Sequence, residues 1–309
     1  MSNATPPPQP LSRRSAWVFP GQGSQYVGMG LDLARDEMRA TTVFNTADHT
    51  LGFTLSDIIF NGPEAALTET SNQQPAIVAV SIAYLISLRE RGVLPDPEFV
   101  AGHSLGEYSA LVATGSLELE DAIRLVRTRG ELMQKHGAGS MAALIGLDPS
   151  VIDEITEETG VEIANYNAPG QTTVSGRTSA VEAAMTLAKE RGARRALMLQ
   201  VSGAFHSSLM EPVVEEMTPL LAQTAIAFSP IPLVTNVDAK PIQHPDDIRA
   251  ELLAQICASV RWIDVITTIS NAGVTTFYEV GPGKVLSGLI SRIVKGADTV
   301  VADALLKKP

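Results

Sequence analysis

Phe99-Val100-Ala101-Gly102-His103-Ser104-Leu105-Gly106-Glu107-Tyr108-Ser109-Ala110 holds a G-x-S-x-G motif between a short apolar run and a helix-forming stretch. A buried strand that turns sharply into a helix, with a serine at the corner, is the architecture of a nucleophile elbow. Glycines two before and two after the serine remove Cβ atoms that would clash when the serine is held in a strained turn. The turn leaves the hydroxyl exposed and aims the next backbone N–H at it. Ser104 is therefore the first candidate nucleophile. A glycine-flanked helix cap is the bland alternative, and the strand before and helix after favour chemistry over it.

Working outward, Ala16-Trp17-Val18-Phe19 reads as a first strand that ends at Pro20-Gly21. The loop Gly21-Gln22-Gly23-Ser24-Gln25 is not a dinucleotide loop, because the third glycine of that pattern falls on Tyr26. Helical patterns cover 29–47, 63–67, 75–91 and about 119–136. Strands alternating with helices imply an α/β core with a parallel sheet covered on both faces. From residue 139 the rhythm changes: strands at 140–146, 162–167, 172–176 and 194–201 enclose helices at 149–159 and 178–191. That β-α-β-β-α-β order is the ferredoxin-like unit. The expected organisation is a leader over 1–14, a core from 15–138 and 206–309, and an inserted lid-like subdomain over 139–205. Helices at 211–224, 245–258, 261–272 and 285–294, with strands at 233–237 and 277–280, complete the core.

Composition narrows the function classes. A formal charge of −11 argues against nucleic-acid binding, which needs a dense basic face. One cysteine, Cys257, excludes an internal disulfide, and five scattered histidines offer no metal cluster. The longest apolar stretch, 76–88, has 13 residues and is too short to cross a bilayer, so it reads as a buried helix. The leader, with Pro6, Pro7, Pro8 and Pro10, carries no apolar signal segment. A monomer in the reducing cytoplasm is the expectation.

A serine hydroxyl needs a base. His103 precedes the nucleophile and should point away from it; His136 suits a helix C-terminus, and His49 and His244 lie in polar contexts. His206 remains, in Ser202-Gly203-Ala204-Phe205-His206-Ser207-Ser208, where small residues permit close approach to a ligand. A hydrolase of the α/β type places its histidine late in the chain, after an acidic member. Here a long stretch follows His206, so plain hydrolase order is broken.

Four segments carry a resemblance: Phe19-Pro20-Gly21-Gln22-Gly23-Ser24-Gln25, the elbow through Ala110, Ala204-Phe205-His206-Ser207 and Glu279-Val280-Gly281-Pro282-Gly283. In this order the chain resembles the malonyl-CoA:acyl carrier protein transacylase family from about Ala16 to Val294. The resemblance implies a hydrolase-like core with an inserted ferredoxin-like subdomain, and no permanently bound cofactor. It implies that Ser104 is acylated by malonyl-CoA while His206 takes its proton, and that His206 then deprotonates the carrier protein's phosphopantetheine thiol. It places the oxyanion hole on the backbone N–H groups of Gln22 and Leu105. It assigns the histidine-orienting carbonyl to Gln255 and the malonyl carboxylate to Arg129, whose guanidinium forks onto a carboxylate.

Phe205 matches a residue type that favours malonyl over branched units. Asn165 and Asn167 match a subdomain edge facing the cleft, where a turn role is an equal alternative. The reading adopted is malonyl transfer for fatty-acid synthesis. A polyketide synthase acyltransferase and a malonate decarboxylase subunit share the same constellation and stay open. A serine thioesterase is disfavoured by Arg129 and by the lack of a late histidine. An acidic carrier protein meeting a chain of charge −11 requires a local basic patch. Lys189, Arg191, Arg194 and Arg195 are the candidates, with Lys284 beyond the Gly-Pro-Gly turn.

Overall fold

The computed structural model describes residues 14–306. Its strands are β1 (Ser15–Phe19), β2 (Phe99–Gly102), β3 (Ser140–Ile145), β4 (Glu162–Ala168), β5 (Gln171–Gly176), β6 (Arg195–Met198), β7 (Leu233–Val234), β8 (Pro241–Ile242), β9 (Thr276–Glu279) and β10 (Asp298–Val301). Six of them form one sheet in the order β10-β9-β1-β2-β7-β8. All its pairings are parallel except the terminal β7–β8 pair.

β1 shows why this sheet must be covered twice. Trp17 and Phe19 join one buried cluster, with the helices Thr70–Glu90 and Leu119–Lys135. Ala16 and Val18 join another, with the helices Trp262–Asn271 and Val285–Ile293. Alternate side chains of a central strand point to opposite faces, so an apolar run with no polar alternation is the mark of two helical layers.

The remaining four strands form an antiparallel sheet in the order β4-β5-β3-β6. All fall between residues 140 and 198, and the helices Pro149–Thr159 and Thr178–Glu190 cover one face. This is the strand order of a ferredoxin-like unit, with its own small core of Leu144, Ile152, Ile155, Val174 and Val181.

Several expected boundaries shift, each for a local reason. The helix expected over 29–47 divides into Leu31–Asp36 and Met38–Leu51, because Glu37 is extended. A helix at Leu55–Asn61 follows that the sequence pattern does not announce. The helix expected from Pro75 begins at Thr70, with Pro75 inside it. Proline cannot donate to the carbonyl four residues back. That carbonyl, on Ser71, instead accepts from Arg127 Nη1 at 3.2 Å.

The strand expected over 194–201 is confined to Arg195–Met198 at the edge of its sheet. The helix expected over 245–258 stops at Ala254, a difference with consequences for the site. β8, β10 and the closing helix Ala302–Leu306 were not expected; the strands are too short for periodicity to show them. The expected leader lies outside the described residues apart from Arg14. That residue belongs to the fold, paired with Glu98 and donating to the carbonyl of Ala272 at 2.6 Å. Among the described residues, no helix is long and apolar enough to cross a membrane.

Candidate active site

The loops that follow β1, β2 and β7 meet at the carboxyl edge of the parallel sheet, the usual place for chemistry in such folds. Ser104 sits there with φ of 52°, in the left-handed region that a residue with a side chain enters only when its surroundings demand it. The demand is steric. A Cβ on Gly102 would lie 1.9 Å from the carbonyl carbon of Gly106, and one on Gly106 would lie 2.2 Å from the oxygen of Phe19. Helix Gly106–Ala113 is pressed that closely onto the strands. Asn236, just past β7, pins the corner: its Oδ1 accepts the N–H of Ser104 at 2.7 Å and its Nδ2 donates to the oxygen of Gly102 at 2.7 Å.

His206 also has a positive φ, 56°, and is 5% exposed. Its Nε2 lies 2.9 Å from Ser104 Oγ, while its Nδ1 faces the carbonyl oxygens of Gln255 at 2.7 Å and Ala258 at 3.1 Å. Carbonyls only accept, so the proton resides on Nδ1 and the lone pair of Nε2 faces the serine. The early end of helix Pro245–Ala254 supplies these acceptors. Carbonyls beyond the last helical turn lack i+4 partners and are free for a side chain.

Arg129 is fully buried on helix Leu119–Lys135. Its Nη2 donates to Ser104 Oγ at 3.1 Å and to Gln255 Oε1 at 2.9 Å, and its Nη1 donates to Gln74 Oε1 at 2.9 Å. Its Nε has no partner among the described residues. Among the described residues no carboxylate touches this guanidinium, and a buried cation held by neutral oxygens is poised for an anionic ligand.

Electrostatics follow from that burial. Burial first, and the positive charge of Arg129 second, push the His206 imidazole down to about 3; its carbonyl partners only partly offset them. The histidine is therefore neutral, the form a base needs. Burial also lowers Arg129 from its ordinary range, with Tyr108 and Glu107 working in the opposite direction.

The other expected residues divide. The backbone N–H groups of Gln22 and Leu105 flank the elbow, and among the described residues neither makes a backbone hydrogen bond. A Cβ on Gly21 would lie 2.4 Å from the oxygen of His103, so the two loops are in direct contact. A cavity of about 160 Å³ opens beside them, lined by Gln22, His103, Asn165, Asn167, Leu199 and Val285. His103 turns from Ser104 as expected and meets Asn167 Oδ1 at 2.9 Å. Phe205 packs in the main hydrophobic cluster with its ring against Gly203.

In the basic patch one member needs correction. Arg191 is paired with Glu154 and Glu158, so its charge is locally matched, whereas Lys189, Arg194, Arg195 and Lys284 are exposed. Sequence reasoning missed Gln74, Asn236, Glu107 and Glu251. For Gln74 the polar run Thr70–Gln74 ahead of a long apolar helix is the available signal.

A strained serine bonded to a neutral histidine at the carboxyl edge of a parallel sheet is the geometry of serine acyl-transfer enzymes. The model of one such family, the acyl transferase domain, matches residues 16–306. The chain belongs to that family. It is 46% identical over 293 residues to a malonyl CoA-acyl carrier protein transacylase of Bacillus subtilis (strain 168), covering 92% of each chain. Its fold is similar to that of an acyl-carrier-protein S-malonyltransferase from Bartonella henselae, with TM-score 0.91 and 44% identity over 95% of this chain and 98% of that one. It is similar, with TM-score 0.90 and 40% identity over 93% and 95% of the chains, to a malonyl-transacylase solved in complex with a type II PKS acyl-carrier protein.

The depressed His206 sets a pH prediction. An imidazole held near 3, against an ordinary 6.5, stays neutral on mild acidification. Acylation of Ser104 by a substrate should therefore stay level between about pH 8 and about pH 5. The unfolded chain, by contrast, protonates this histidine below about 6.5, so the contribution of His206 to stability falls as pH drops from there toward 3. Single-turnover acylation and urea melts across this range check both. A rate that halves near pH 6.5 would contradict the assignment.

Proposed function

We propose that this protein transfers the malonyl group from malonyl-CoA to the phosphopantetheine thiol of an acyl carrier protein, through a malonyl ester on Ser104. The observation that carries this reading is Arg129, fully buried with its Nη2 3.1 Å from Ser104 Oγ and with no carboxylate partner among the described residues. A malonyl thioester presents a free carboxylate at the distance from its carbonyl that such an arrangement selects. The matching relatives are malonyl transacylases, which agrees with it.

In the first half-reaction, Ser104 Oγ attacks the thioester carbonyl while His206 Nε2 takes the hydroxyl proton. The N–H groups of Gln22 and Leu105 receive the oxyanion, and losing one such donor typically costs about 3–4 kcal/mol in the transition state. His206 returns the proton to the departing thiolate of coenzyme A. In the second half-reaction it deprotonates the carrier thiol, which attacks the malonyl ester and restores Ser104. Gln255, through its carbonyl, keeps the Nε2 lone pair on the reacting side throughout.

Asn165 and Asn167, on β4 at the cavity edge, contact the incoming chain, and Phe205 beside the base limits the width of the acyl group. The subdomain over 139–205 covers the core and provides this wall. Fatty-acid synthesis is the setting we favour. The relative solved with a type II PKS carrier gives polyketide synthesis as a second one.

Arg129→Ala should lower malonyl transfer by roughly 10²–10³, the loss expected for one partner of a buried ion pair. Acetyl transfer should be spared or improved. Comparing both thioesters by steady-state kinetics tests this, and an equal fall for both would make Arg129 structural.

Docking of an acidic carrier is assigned in this reading to the exposed cations Lys189, Arg194, Arg195 and Lys284. Reversing Arg194 and Arg195 to glutamate should raise the Michaelis constant for carrier protein roughly tenfold and flatten its salt dependence. Loading from malonyl-CoA should be unaffected. Unchanged carrier kinetics at low salt would place docking elsewhere.

A further inference from the structure

Two carboxyl groups lie buried behind the elbow and take no part in the chemistry described above. Glu107, from the first turn of helix Gly106–Ala113, is fully buried, and Glu251, from helix Pro245–Ala254, is 7% exposed. Both accept the backbone N–H of Asn236 at 2.9 Å, and the two are within hydrogen-bonding reach of each other. Glu251 also accepts from the N–H of Val237 at 3.1 Å, and Glu107 Oε2 accepts from Gln255 Nε2 at 3.0 Å.

Two like charges cannot both persist this close in a buried site. Burial pushes both carboxyls above the ordinary range; the charge of Glu251 raises Glu107 further, whereas the hydrogen bond from Glu107 works the other way on Glu251, where Asp238 adds to the rise. One proton shared by the pair resolves the conflict. Glu251 opens to a surface groove and receives two backbone N–H groups, so the negative charge rests there. Glu107, sealed from solvent, carries the proton and donates it to Glu251.

Ser104, Arg129 and His206 each trace back to this pair. Asn236, anchored at its backbone N–H by the two carboxyls, clamps both sides of Ser104 with its side-chain amide. Gln255, oriented at its Nε2 by Glu107, offers Oε1 to Arg129 and its backbone carbonyl to His206. We infer that Glu107 and Glu251 form a proton-sharing pair that positions Ser104, Arg129 and His206 through Asn236 and Gln255, and that neither touches substrate. The single net negative charge also balances the buried charge of Arg129 across the amide of Gln255.

The malonyl arm of the test rests on the function proposed above; a second arm does not. Glu107→Ala should slow malonyl loading roughly 10²-fold, the scale of a small misplacement of reacting groups. It should also reduce the preference for malonyl over acetyl, because Gln255 no longer holds Arg129. Phosphonylation of Ser104 by a small fluorophosphonate should slow in parallel, since that reaction needs only the elbow and His206: the Oγ–P bond forms, fluoride leaves and His206 takes the proton.

Glu107→Gln should recover at least tenfold over the alanine variant, because an amide donates to Glu251 and accepts from Gln255 as the protonated acid does. Glu251→Ala, at the groove side, gives the same readouts if Glu107→Ala does not fold. Wild-type phosphonylation and wild-type acyl preference in a folded alanine variant would overturn the inference. So would a glutamine variant as slow as the alanine one. Failure of the unmutated protein to load malonyl, with phosphonylation still sensitive to Glu107, would instead count against the proposed function alone.

Discussion

A guanidinium with no exposed surface, 3.1 Å from the nucleophile, is the constraint around which the rest of the site is arranged. Burying an ion costs on the order of several kcal/mol even after the protein relaxes around it. Arg129 meets that cost with oxygens from three distant parts of the chain: Gln74 in the helix Thr70–Glu90, Ser104 at the elbow and Gln255 past a helix end. Its charge reaches further, helping to hold His206 neutral. Arg129 therefore serves specificity directly and adds to the burial that keeps the base neutral.

The same constraint explains why an acid does not orient the histidine. A carboxylate on His206 Nδ1 would pair with Arg129 as readily as with the ring and would remove the anion-binding capacity of the site. Backbone carbonyls orient the imidazole without adding charge. The negative charge of the pocket is kept one amide away, in the Glu107–Glu251 pair. A substrate carboxylate thus meets a guanidinium that no carboxylate contacts directly among the described residues, which favours a diacid thioester over a neutral acyl chain.

Legibility followed range. The elbow could be read because its glycines, strand and helix lie within a dozen residues and the steric demand is local. The antiparallel subdomain could be read because its helices and strands alternate with clear periods and its helix Pro149–Thr159 has marked start and stop signals. Ser104, His206 and Arg129 came together as expected, His206 by elimination and resemblance and Arg129 by resemblance alone. Gln74 was hidden because Pro75 looks like a helix start, and only Arg127, 52 positions away, supplies the donor that lets the helix begin earlier. Asn236, Glu107 and Glu251 were hidden because their partners are long-range and their residue types are common on surfaces. The early stop of helix Pro245–Ala254 was invisible for the same reason: the histidine that uses its free carbonyls is 49 positions away.

Covalent loading of Ser104 is the claim on which the account turns. Intact-mass analysis after brief incubation with malonyl-CoA measures it directly. One added malonyl group is expected on the unmutated protein, removed by transfer to a carrier protein, and none on Ser104→Ala. An equal adduct on both proteins would place the acyl group on another residue and contradict that claim.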